Sequence, residues 1–299
     1  MKYVVTGGAG FIGSHLARFL ADSGHSVVVI DNLHRGKAAN IADIAGKVEF
    51  HKANILNFED LEKMTKGADG IFHQAALTSV IESFEQTDKY YRVNVTGTEN
   101  IFKIAKKYGI KVVYASSSSV YGNPAKTPIT EDFERKPINP YGMTKLENEK
   151  LAEKFAGSGA KIIGMRYFNV YGPGQTPDYA GVITKFYDNI TKNKPPVIFG
   201  DGSQIRDFVS VIDVAKANLM AMQSNLGFGF LNIGTGVATS IKSLADIMIR
   251  LSGKALEPIY DKLPEGDVRA SQADIRLAKK LISWTADTNL SDGLKNFFF

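Results

Sequence analysis

A chain of 299 residues with 44% hydrophobic and 22% charged side chains has the make-up of an ordinary globular protein, long enough for one large α/β domain or two modest ones. No run of about 18 apolar residues is present, so no membrane span is expected, and a net charge of +5 without a Lys/Arg cluster argues against nucleic acid as a partner. The absence of cysteine excludes disulfides, thiolate metal ligands and a cysteine nucleophile, and fits a cytoplasmic protein; a strand and glycine loop at the very start are read as leaving no room for a signal peptide.

The apolar run Tyr3-Val4-Val5 predicts a strand over Lys2–Thr6, followed by Thr6-Gly7-Gly8-Ala9-Gly10-Phe11-Ile12-Gly13 and an amphipathic helix over Phe11–Ser23. Strand, glycine turn and helix in this order suit a dinucleotide: glycines allow the backbone to approach a pyrophosphate, which then sits on the helix N-terminus. Glycine turns also link ordinary strands and helices, so the next strand matters. It spans Ser26–Asp31 and ends on Asp31. A carboxylate there accepts from both adenosine ribose hydroxyls and repels a 2′-phosphate, favouring NAD over NADP, although Arg35 is close enough in sequence to accommodate that phosphate.

Further strands are expected over Val48–His51, Gly70–His73, Lys111–Ser116 and Lys161–Arg166, with helices over Phe58–Thr65, Ser83–Lys107 and Tyr141–Ala156. Short apolar runs without alternation, separated by helices, predict a doubly wound parallel sheet. After about Arg166 the pattern becomes irregular. Helices over Val182–Thr191, Val211–Gln223 and Ile241–Ser252 alternate with turns rich in Gly and Pro. The expected division is a Rossmann domain over residues 1–166 and a smaller α/β substrate lobe over 167–299, some of whose segments return to the sheet.

Tyr141-Gly-Met-Thr-Lys145 places a phenol and an ammonium on one helix face. The ammonium favours the phenolate, so Tyr141 is expected to have a lowered pKa and to take a proton from an alcohol as hydride leaves the same carbon. A chain with twelve tyrosines meets this spacing by chance as well. Pro137-Ile-Asn-Pro140 singles the site out, because it ends any earlier helix and puts Tyr141 at the start of a new one. Ala115-Ser116-Ser117-Ser118-Ser119 lies just past a strand's carboxyl end, where hydroxyls can bond a reacting oxygen or merely cap the turn. His15 and His73 have no partner at metal spacing and read as packing or channel residues.

The ordered set of the glycine loop, Asp31-Asn32-Leu33, His73-Gln-Ala75-Ala76, Asn94-Val-Thr-Gly97-Thr98, the serine strand end, Tyr141-x-x-x-Lys145, Arg166-Tyr-Phe-Asn169-Val-Tyr-Gly172-Pro173 and Arg206-Asp207-Phe208 resembles the extended short-chain dehydrogenase/reductases that act on nucleotide sugars. Within them the chain is most similar to the UDP-glucose (UDP-galactose) 4-epimerase family. The resemblance implies a Rossmann fold, NAD as cofactor, a UDP-sugar substrate and a homodimer built on the helices near Ser83–Lys107 and Tyr141. It implies Ser117, Tyr141 and Lys145 as the catalytic set. Gly7, Gly10, Phe11, Ile12, Gly13, Asp31, Asn32, Asn54, Ile55, Ala75, Ala76 and Asn94 fall at the cofactor, with Tyr141 and Lys145. Ser117, Ser118, Tyr141, Asn169, Arg206, Asp267 and Ser271 fall at the substrate. Asn54 stands where many members carry Asp. Dehydratases of the group carry an acidic pair where this chain has Ser118 and Ser119, which points to epimerisation. UDP-glucuronate 4-epimerases, the nearest alternative, typically have Thr where Asn169 stands. Redox sensors that keep the fold usually lose Tyr or Lys of the catalytic set. Ser271, small where some members carry tyrosine, implies room for a 2-acetamido sugar.

Overall fold

The computed structural model describes residues 1–175, 181–263 and 268–298. The chain runs β1 (Lys2–Thr6), α1 (Phe11–Asp22), β2 (Ser26–Asp31), β3 (Val48–Lys52), α2 (Phe58–Thr65), β4 (Gly70–His73), α3 (Val80–Glu85), α4 (Thr87–Tyr91), α5 (Gly97–Tyr108), β5 (Lys111–Ser117), α6 (Pro140–Ala156) and β6 (Ile162–Tyr167). It continues through β7 (Asn169–Tyr171), α7 (Val182–Thr191), β8 (Val197–Phe199), β9 (Ile205–Arg206), β10 (Phe208–Ser210), α8 (Val211–Gln223), β11 (Phe228–Ile233), β12 (Thr239–Ser240), α9 (Ile241–Ser252), β13 (Ile259–Asp261), α10 (Arg276–Ile282) and α11 (Leu290–Phe298).

Seven strands form one sheet in the order β11-β6-β5-β4-β1-β2-β3, and every pairing is parallel. The doubly wound parallel sheet expected from the apolar runs is therefore present. Alternate residues of one strand serve different cores: Val4, Val28 and Ile30 pack with α2 and α5, while Tyr3, Val5, Val27 and Val29 pack with α1, α8 and α10. Both faces are covered, which is why these strands read as unbroken apolar runs. The strand order reverses between β1 and β4, and ligands of such sheets bind at the carboxyl ends beside that reversal.

Two expectations are corrected. The helix expected over Ser83–Lys107 is not continuous: Gln86 leaves helical geometry, and Arg92–Thr96 forms a π-helical turn before α5. There the Asn94 carbonyl accepts from the Thr98 hydroxyl at 2.5 Å and the Asn94 side chain is drawn into tertiary bonds. The seventh strand, β11, was not among the expected strands. Its run Phe-Gly-Phe-Leu-Asn-Ile is interrupted by Gly229 and by the fully buried Asn232, whose amide is satisfied by residues distant in sequence.

Three two-stranded sheets, β7 with β10, β8 with β13 and β9 with β12, lie in the second lobe. Its core gathers Phe186, Ile190, Phe208, Leu244, Met248 and Leu294. Phe297 and Phe298 close this core edge-to-face on Tyr187, at centroid separations of 5.6 and 5.3 Å. No described helix is long and apolar enough to cross a membrane.

Candidate active site

A cavity of about 620 Å³ opens along the carboxyl ends of the sheet and reaches into the second lobe. Its floor is the loop between β1 and α1. Gly7 has φ +70°, and a Cβ there would lie 2.6 Å from the Ala75 nitrogen. At Gly13 a Cβ would stand 2.1 Å from the Gly7 carbonyl oxygen. Only glycine fits this close crossing of backbone. The N-cap of α1 is Gly10, with no side-chain cap, so the first N–H groups of the helix face the cavity without a built-in acceptor. That cradle is what a pyrophosphate requires, and the residues present fit a dinucleotide.

At one end of the cavity Asp31 accepts from the Ala9 and Leu33 N–H groups, at 3.1 and 2.8 Å. Burial raises its carboxyl pKa, and these two bonds oppose the rise. Leu33 is held at φ 58°, a conformation a leucine adopts at a cost. The Asn32 side chain caps the same turn by accepting from His34 N–H at 3.0 Å. Arg35, the residue that could have taken a 2′-phosphate, is ion-paired with Glu82 at 2.5 Å. Asn54 lines the cavity, but its amide oxygen already accepts from Leu56 N–H at 3.0 Å. A second lone pair remains for an adenine amine. Ile55, Ala75 and Ala76 complete the wall.

Tyr141, Lys145 and Ser117 meet midway along the cavity. Asn139 caps α6 by accepting from Gly142 N–H at 2.8 Å, and Pro140 sits in its first turn, which places Tyr141 at the helix start. Its phenol faces the Ser117 hydroxyl, which donates to Ser119 Oγ at 3.1 Å. Ser117 also accepts from Ser119 N–H at 3.1 Å, so the same hydroxyl caps its turn and faces the phenol. Lys145 is 3% exposed and donates to the Ala115 carbonyl at 2.7 Å. Burial draws its ammonium down to about 8. The expected depression of the Tyr141 pKa is not produced by these residues alone. Burial raises the phenol, the neighbouring Ser117 hydroxyl opposes this, and Lys145 Nζ stands 5.8 Å from the ring centroid.

Other expected residues lie behind or beside the cavity. Asn94 is fully buried and does not line it; its amide bonds the Leu77 backbone both ways, at 2.8 and 2.9 Å, and donates to Thr144 Oγ1 at 3.0 Å. It positions the wall rather than a ligand. Asn169 lines the second-lobe side. Ser118, Arg206 and Ser271 do not line the cavity. Arg206 donates to the Ile205 and Val268 carbonyls at 2.9 and 2.6 Å, and Ser271 N–H donates to Ile205 at 3.0 Å, so these two are neighbours. Asp267 lies outside the described residues. His15 bonds the Pro173 carbonyl at 2.9 Å.

Two clusters were missed by sequence reasoning. Glu149, fully buried, takes two bonds from Arg166 at 2.8 Å, one from Ser116 at 2.7 Å and one from Arg135 at 3.1 Å. It continues the face that carries Tyr141 and Lys145, and that four-residue step was the available signal. Asp207, also fully buried, accepts from Thr235 twice, Gly236 and Ala273, while its carbonyl takes Asn169 N–H at 2.9 Å. Asp207 stands in the Arg206-Asp207-Phe208 motif, but nothing local marks the partners that bury it.

The sequence model of the NAD dependent epimerase/dehydratase family matches residues 3–234. The chain belongs to that family. Its cofactor is NAD. A Methanocaldococcus jannaschii protein provisionally named UDP-glucose 4-epimerase is 43% identical over 98% of this chain and 95% of its own. A UDP-glucuronate 4-epimerase of Thermodesulfobacterium geofontis is 35% identical over 98% and 94%. Among solved structures, the UDP-N-acetylglucosamine 4-epimerase of Methanobrevibacter ruminantium, in complex with UDP-N-acetylmuramic acid, superposes with a TM-score of 0.94 at 35% identity, covering 99% of this chain and 96% of that one.

Proposed function

We propose that this family member is an isomerase that inverts carbon 4 of a UDP-hexose, interconverting UDP-galactose and UDP-glucose and also accepting UDP-GalNAc and UDP-GlcNAc. The observation that carries the reading is the Ser117–Tyr141–Lys145 group at the end of β5, sharing one cavity with the glycine loop, with hydroxyls at 118 and 119 where a dehydratase would place carboxylates. Elimination has no acid–base agent there, whereas epimerisation needs none beyond the phenol.

Bound NAD+ supplies the hydride acceptor for carbon 4 and a positive charge that favours the phenolate. Tyr141 takes the proton from the 4-hydroxyl, with Ser117 holding that oxygen. Lys145 keeps positive charge on the phenol's side of the cavity. The 4-keto sugar turns over about its diphosphate link and presents its other face; Tyr141 returns the proton to the carbon-4 oxygen while hydride would return to that other face of carbon 4, so the configuration inverts and no net oxidation occurs. Asn169 meets the diphosphate from the cavity wall, and Arg206, outside that wall and resting on the Ile205 and Val268 carbonyls, would turn toward the diphosphate to clamp it; Asp267 takes the uridine ribose, and Ser271, small and set back from the cavity, leaves room for an acetamido group. UDP-glucuronate is the second reading, supported by the Thermodesulfobacterium relative and opposed by Asn169. A homodimer is part of the proposal, supported by the exposed apolar side chains of Ile81, Phe84, Tyr91 and Met143 on α3, α4 and α6.

The test offers the purified protein UDP-galactose, UDP-GalNAc and UDP-glucuronate separately, without added cofactor, and reads the sugars by proton NMR. Epimer formation without NADH build-up is expected for the first two. Tyr141→Phe is expected to lower turnover by about 10²–10⁴-fold. Conversion of UDP-glucuronate alone would replace the sugar assignment, and no conversion of any would overturn the enzyme.

A further inference from the structure

Arg35 lies in the loop after β2, and Glu82 lies on α3, which follows β4. Because β1 stands between β2 and β4 in the sheet, a bond between these two segments passes over the carboxyl end of β1, where the glycine loop lies. Arg35 Nη2 meets Glu82 Oε2 at 2.5 Å. The carboxylate is fixed from its own side. Tyr90 donates to Oε2 at 3.0 Å, Gln86 donates to Oε1 at 3.1 Å, and Ser79 caps the backbone N–H of Glu82 at 3.2 Å. Its side chain is 16% exposed, against 36% for Arg35. On the other side, Gly36 is pressed against Asp31: a Cβ on it would lie 2.8 Å from each carboxylate oxygen. The loop carrying Arg35 is thus wrapped around the residue that meets the adenosine ribose. The same short helix also reaches the catalytic centre, because Ser83 Oγ accepts the Tyr141 backbone N–H at 3.2 Å. Adjacent residues of α3 therefore touch the adenosine end of the cavity and the start of the catalytic helix.

We propose that the Arg35–Glu82 pair is a strap that retains the dinucleotide between turnovers, with Glu82 as the positioning residue that anchors it. The inference rests on the cofactor reading above and is independent of which sugar is turned over. An enzyme that returns hydride to the carbon it came from gains nothing by releasing its cofactor. Loss of the reduced form in mid-cycle would strand a keto sugar. A strap across the cleft therefore serves this reaction where it would slow one that exchanges cofactor at every turnover.

The experiment loads the full-length protein with NAD+, removes unbound cofactor by rapid gel filtration, and follows cofactor release over time at low and high salt. Glu82→Gln and Arg35→Gln are each expected to release NAD+ about fivefold faster than the parent, the upper range for one partly exposed ion pair. Arg35→Lys, which keeps the charge, is expected to recover part of the retention. Salt should accelerate release from the parent more than from the two Gln variants, since they have lost a screenable pair. Equal release rates and equal salt dependence in parent and variants, with melting curves showing all of them folded, would overturn the strap. If one variant does not fold, the other and the parent's salt dependence carry the same comparison. A parent protein that never holds NAD+ is a separate outcome, seen before any variant is made, and would overturn the cofactor reading itself.

Discussion

His73 shows how a single buried side chain ties the cofactor floor to its surroundings. Its Nδ1 meets Thr6 Oγ1 at 2.6 Å and its Nε2 meets Thr98 Oγ1 at 2.9 Å. The Thr98 hydroxyl spends its proton on the Asn94 carbonyl, so the network assigns the ring proton to Nε2 and leaves Nδ1 accepting from Thr6. Burial, with a smaller push from the Lys145 charge, holds the imidazole down to about 3. The unfolded chain takes up this proton near pH 6.5 and the folded chain does not, so folding stability is complete above that pH and is lost progressively from there down to about 3. Between pH 7 and 5 this group alone is expected to cost about 2 kcal/mol. Urea midpoints measured across that interval should fall for the parent and fall less for His73→Gln; parallel slopes would show that the imidazole is protonated in the fold.

Among elements, α6 owes its place to a buried charge pair as much as to packing. Glu149 links it to the end of β5 through Ser116 and to β6 through Arg166, which is 2% exposed. Arg166 goes on to Tyr121, whose hydroxyl donates to Asn232 of β11 at 2.7 Å. Removing one partner leaves the other charge buried, so Arg166→Met is expected to destabilise by about 3–5 kcal/mol, and Glu149→Leu with Arg166→Met together by much less. Chemical denaturation of the two variants decides this, and additive losses would contradict it. The network also marks where reading the chain stops. Val4-Val5, Val28-Val29 and Ile162-Ile163 are legible because burial on both faces demands apolar residues at every position. Tyr141 and Lys145 are legible because their spacing is local. Glu149, Asp207 and Asn232 are not, since a buried polar residue declares itself only through partners that the fold brings from far along the chain. The π-helical turn before α5 escaped for the same reason: Asn94 within it is bonded to Leu77 and Thr144, partners that its own sequence does not announce.

Among the described residues of the whole molecule, α3 presents an uncovered apolar face. Ile81 is 77% exposed and Phe84 61%, and both lie on α3 beside α6, the helix that carries Tyr141. Light scattering is expected to give twice the 32.6 kDa chain mass, and Phe84→Glu is expected to shift the protein to monomer; a monomeric parent would remove the homodimer from the proposal. A different consequence follows from β11. About sixty residues separate the end of β6 at Tyr167 from Phe228. During synthesis at roughly 5–20 residues per second, the outer edge of β6 stays unpaired for about 3–12 s after it emerges. Until then the half-made sheet offers a bare parallel edge to its neighbours on the same message. Order of translation therefore exposes this nascent chain to self-association at a stage that the finished protein no longer shows.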